Sequence, residues 1–142
     1  MKTVVTYNIS KLIQKLGFCD DSLFRESDDK VFYYTTKTVS IDGKKIPGKV
    51  LIDVNADDAL YAPSVEFVKA YIWDKFHDIL TVRAGIVNDE IEYTGVVQSI
   101  RHTAGGVKSA FEKAIISGEK IKEQCELALL EEYLKRYFKI KK

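Results

Sequence analysis

Cysteine is scarce in this chain, with only Cys19 and Cys125 among 142 residues. They lie far apart, so two free buried thiols in a reducing compartment are expected rather than a disulfide framework. Charge of one sign is lacking too. Against 22 Lys and Arg stand 21 Asp and Glu, a net charge of +1, which gives no global electrostatic footprint for nucleic acid, whose binding normally needs a concentrated basic face. No apolar run approaches the roughly 20 residues of a membrane helix, and residues Met1 to Tyr7 are too short and polar for a secretory signal. A cytoplasmic location with no membrane partner is expected. Recognised chemical motifs are missing as well: no phosphate loop, no metal-ligand spacing and no nucleophile beside a base. The sequence therefore assigns no catalytic residue, no metal and no cofactor.

What is present is the composition of an ordinary folded domain, 46% apolar and 30% charged with a mean hydropathy of -0.14. A chain of this length removes roughly two-thirds of its unfolded surface from water on folding, so one globular domain over 1–142 is expected. The sharpest local signal is Asp42-Gly43 between Thr38-Val39-Ser40-Ile41 and Lys44-Lys45-Ile46. Gly, and less easily Asp, takes the positive φ that a two-residue hairpin turn demands. Pairing outward from it predicts Val39 opposite Ile46, Thr35 opposite Val50, Tyr33 opposite Ile52 and Val31 opposite Val54. A second turn at Asn88-Asp89 would set Ile86 against Ile91 and Ala84 against Tyr93, leaving Gly95 as a gap near Val82 where another element approaches closely.

Helical spacing surrounds these hairpins. Ile9, Leu12, Ile13 and Leu16 follow a cap at Asn8 or Ser10 and stop at Gly17. Pro63, suited to a first helical position, opens a stripe of Val65, Val68, Ile72, Phe76 and Ile79. Val107, Phe111, Ala114, Ile115, Gly118, Ile121, Cys125, Ala128 and Leu129 trace a last helical stripe with a break at Ser117-Gly118, and Leu130, Leu134, Tyr137 and Phe138 form an adjoining one. The expectation is an α+β domain, an antiparallel sheet built from two β-hairpins with helices packed on one face, in the order α-ββ-α-ββ-α(α).

Several residue sets carry groups capable of chemistry. Asp53, Asp57 and Asp58 lack calcium-loop spacing and read as a solvated loop. His77 and His102 have no nucleophile context, and Gly105-Gly106 opening a helix lacks the rest of a phosphate motif. The basic run Lys135, Arg136, Lys139, Lys141 and Lys142 suits a helix C-terminus without a ligand. Phe32, Tyr33 and Tyr34 alternate faces amid mixed charges, which favours packing over base stacking.

From Ala62 to Ala128 the chain resembles a small uncharacterised group of proteins of tailed bacteriophages and prophages. The resemblance rests on Ala62-Pro63-Ser64 opening a helix, the run Val68 to Ile79, the tyrosine-bearing hairpin through Tyr93 and an alanine-containing closing helix. It implies a phage or prophage origin and transfers no site residue. The doubly apolar last helix points to a non-catalytic protein-protein interaction or assembly module, a homo-oligomer or one with a protein partner. Its interface candidates are Trp73, Leu130, Leu134, Tyr137 and Phe138. Nucleic-acid binding through the basic C-terminal tail is the first alternative. A small enzyme or ligand carrier using His77, His102 or the Asp57 region is the second.

Overall fold

A computed structural model of the chain describes residues 3–17, 31–54 and 56–138, leaving aside the side chains at 102, 103, 108–111, 137 and 138. Two compact units emerge, Met1–Phe67 and Val68–Lys142, and among the described residues the structure is α+β with antiparallel sheets.

In the first unit, α1 (Tyr7–Lys15) begins earlier than a cap at Asn8 or Ser10 would place it. Thr6 has extended backbone and its Oγ1 accepts the Ile9 N–H at 3.2 Å, so the threonine satisfies a donor that the helix start leaves open. The helix buries Ile9 and Ile13 and stops where Gly17 takes a φ of +88°. β1 (Phe32–Tyr34) lies between β4 (Leu51–Ile52) and β5 (Leu60–Ala62), while β2 (Val39–Ile41) and β3 (Lys44–Ile46) form a separate ribbon. The expected register holds at both ends, with Val39 opposite Ile46 and Tyr33 opposite Ile52. Between them the ladder is interrupted around Pro47, which has no N–H to give. Thr35 still faces Val50, its N–H donating to the Val50 carbonyl at 2.9 Å, while its carbonyl accepts the Lys49 N–H at 2.7 Å; its buried hydroxyl donates to the Pro47 carbonyl at 2.7 Å and accepts the Val50 N–H at 3.0 Å. The Val31–Val54 pair does not form, because β4 ends at Ile52 and the backbone bends at 53 and 54.

α2 (Val65–Phe76) is capped by Ser64, whose Oγ accepts the Phe67 N–H at 3.1 Å, so Pro63 precedes the cap instead of occupying the first helical position. Its buried stripe is Val65, Val68 and Ile72. It ends before His77, whose φ of +57° turns the chain into a strand, so Ile79 belongs to that strand and is exposed.

In the second unit, β6 (Asp78–Val87), β7 (Glu90–Thr103) and β8 (Gly106–Glu119) form one sheet in that order. The turn at Asn88-Asp89, with φ values of 50° and 63°, sets Ile86 opposite Ile91, Ala84 opposite Tyr93 and Val82 opposite Gly95. These are the pairs expected from sequence.

β8 and the sheet arrangement differ from the sequence expectation. The stretch from Val107 to Glu119, expected to be helical, is a strand, and the two hairpins belong to different sheets. The register with β7 slips three times, near Gly95 twice and between Ser99 and Ile100. Each slip shifts the inward-outward alternation by one residue. A strand so interrupted spaces its apolar residues by three and four, which imitates helical periodicity. Gly118, expected as a helix break, has a φ of +76° near the strand end. Among the described residues the order is α, five strands, α, three strands, α.

α3 (Lys122–Tyr133), continued by a wider turn over Leu134–Phe138, packs on all three strands through Cys125, Leu129 and Tyr133, one helical turn apart. Gly95 allows the approach: a Cβ there would stand 3.0 Å from Leu129 Cβ and 3.2 Å from Ile116 Cβ.

Candidate functional site

Among the described residues of the second unit, the most enclosed acidic or basic side chain is Asp78, first residue of β6 and only 1% exposed. Its position follows from local structure. The left-handed turn at His77 directs the chain into the sheet, and the strand pairing sets Asp78 directly opposite Ser99. The Ser99 hydroxyl donates to Oδ1 at 2.6 Å. The Tyr133 hydroxyl, from the last residue of α3, donates to Oδ2 at 2.6 Å. Burial, and then the bond to this carboxylate, push the Tyr133 phenol far above the ordinary tyrosine range, so it stays a neutral donor. An aspartate, a serine and a tyrosine could serve proton transfer, but Tyr133 is 0% exposed. A substrate has no access to the phenol, and the arrangement ties α3 to the sheet.

Elsewhere the candidates are engaged or exposed in ordinary ways. His77 lies edge-on to Trp73, with ring centres 5.2 Å apart; the His102 side chain lies outside the described residues. Asp53 and Asp57 are exposed, and the Asp58 carboxylate pairs with Lys37 at 3.2 Å. Asp57 also borders a shallow open depression of about 440 Å³ with Lys37, Val39 and Val54. Among the described residues no three His, Cys, Asp or Glu side chains gather as metal ligands would, and no helix is long and apolar enough to cross a membrane. Gly105 belongs to the turn between β7 and β8, and Gly106 opens a strand, so the helix start expected there is absent.

In the first unit Tyr34 donates to the Val5 carbonyl at 2.8 Å and packs edge-on to Tyr7, while Tyr33 lies against Tyr61, so these tyrosines serve packing. Of the basic tail, Lys135 and Arg136 pair with Glu131 and Glu132 at 3.7 and 2.8 Å. Lys139, Lys141 and Lys142 lie outside the described residues.

Of the expected interface residues, Leu130 and Leu134 are buried within the chain and Trp73 is 41% exposed. The Tyr137 and Phe138 side chains lie outside the described residues. A different apolar surface is open. From Arg83 to Val87 every residue of β6 is exposed, with Ile86 at 80% and its cross-strand partner Ile91 at 58%. Strand alternation places this pair on the same face as Leu80 and Val97, which are buried. The core face thus continues as apolar surface at the hairpin end. The Ile86–Ile91 pairing was legible in the sequence and its exposure was not, since alternation gives the face and not what covers it.

No family model, no characterised protein and no solved structure matches this chain.

Proposed function

We propose that this chain is a non-catalytic interaction or assembly module that works through the open end of its three-stranded sheet. The observation that carries the reading is the Ile86–Ile91 pair, apolar, adjacent across the strands and largely exposed on the face that elsewhere forms the core. Large apolar side chains gathered on one sheet face mark a contact site more often than scattered ones do. Trp73 is an exposed aromatic suited to anchoring a partner. The resemblance over Ala62 to Ala128 supports placing the protein among phage-encoded accessory or virion-associated proteins acting in the host cytoplasm. Nucleic-acid binding is less well supported, because two of the five tail cations are already paired with glutamates on their own helix.

The test is light scattering, together with capture of partners, on the native chain and on a variant carrying Ile86→Lys and Ile91→Lys. Association that the native chain shows and the variant loses is the expected result. Association equal in both forms, or absent from both in every assay, overturns the reading.

A further inference from the structure

We propose that the partner at this end of the sheet is a second copy of the chain, joined by antiparallel pairing of β6 with β6 about a two-fold axis at Ala84. The inference rests on the contact-module reading and names its partner.

β6 is an outer strand, and among the described residues no strand pairs with its free side. Val87 and Glu90 flank the two-residue turn and so exchange both ladder bonds, which commits the odd-numbered residues of β6 to β7. The N–H and C=O groups of Val82, Ala84 and Ile86 therefore point outward. Natural sheets protect such edges with lysine, proline or bulges, and β6 from Val82 to Val87 has none of these. Its one charge, Arg83, pairs with Glu112 of β8, so the guanidinium is turned back across its own sheet. The opposite edge is guarded: β8 carries Lys113 and Glu119 and is interrupted by the register slips.

The sequence of the edge also selects a register. An axis at Arg83 would place two guanidinium-bearing residues directly opposite each other, which is unfavourable. An axis at Ala84 sets Ala84 against its own copy, Val82 against Ile86 of the second copy and Arg83 against Gly85 of the second copy. The outward-pointing even residues then meet as hydrogen-bonded pairs, and Val82 and Ile86 extend the apolar face across the join. This surface is self-complementary, as a two-fold interface requires.

The test uses the full chain. In a hydrogen-bonded antiparallel pair opposing Cα atoms are about 5.5 Å apart, within the separation that a disulfide spans. Ala84→Cys should therefore oxidise to a covalent dimer much faster than the native chain, whose own cysteines give the baseline. Val87→Cys should stay at that baseline, because its copies would lie roughly 20 Å apart. In sedimentation equilibrium, Ala84→Pro, which removes an outward N–H, should weaken the native dimer at least about tenfold, with an unchanged circular dichroism spectrum. A native dimer indifferent to Ala84→Pro, with Ala84→Cys at baseline, overturns edge pairing while leaving the contact-module reading in place. A native chain monomeric at every concentration overturns this inference, and loss of a captured foreign partner in the double-lysine variant would then still uphold the module.

Discussion

At the scale of single residues, the carboxylate of Asp78 is the group most dependent on its neighbours. A buried charged group that loses a hydrogen-bond donor bears a desolvation cost, so Tyr133→Phe should lower unfolding free energy by about 1–3 kcal/mol in urea titration. The phenol also has a pH signature. Tyr133 keeps its proton in the folded protein well above the pH at which the unfolded chain releases it. The associated stability is complete below about pH 10 and is lost as pH rises further, since the unfolded state then binds fewer protons than the folded one. Stability measured from pH 9 upward should fall less steeply in Tyr133→Phe than in the native chain. Cys125, buried and with its thiol pushed up chiefly by that burial, should resist alkylation of the folded protein at neutral pH and react once the chain is unfolded in urea.

At the scale of elements, the contact of α3 with β7 depends on a missing side chain. The Cβ introduced by Gly95→Ala would lie 3.0 Å from Leu129 Cβ and 3.2 Å from Ile116 Cβ, both close to backbone and unable to rotate away. The helix must lift or the bulge must flatten. A loss of about 1–3 kcal/mol is expected, read from thermal or denaturant unfolding. The turn residues were the most legible feature of the sequence, because Asp42-Gly43 and Asn88-Asp89 each carry the positive φ values that a tight hairpin needs. β8 was the least legible. Its register slips put Val107, Phe111, Ala114 and Ile115 at spacings that a helix would also produce, and a one-dimensional pattern does not distinguish an interrupted period of two from a period of 3.6.

At the scale of the molecule, each unit has a core of its own: Val5, Ile9, Ile13 and Leu60 in one, Leu80, Val97, Leu129 and Leu134 in the other. The sequence suggested a contact surface on the last helix, but Leu130 and Leu134 are buried within the chain, and exposed apolar area lies instead at the β6–β7 turn. Amphipathic width shows that a second face is covered and not by what. The Asp78–Ser99–Tyr133 set was hidden for a related reason, since its members are 21 and 55 positions from the aspartate and only the folded sheet brings them together. Because Ile86 and Ile91 are exposed, replacing both by lysine should lower the unfolding free energy of the chain by no more than about 1 kcal/mol, the cost of two like charges facing each other across the strands, while removing association. That combination in one variant separates a surface built for contact from a core residue.

The bond between Tyr133 and Asp78 closes a loop of 55 residues, which gives it a place in time as well as in space. Short loops close faster than long ones, so the expected order places this bond late, with the aspartate shedding the last of its hydration shell as α3 seats. A contact formed after the rate-limiting barrier governs escape from the native state rather than arrival. In stopped-flow traces Tyr133→Phe should accelerate unfolding and leave the refolding limb where it was.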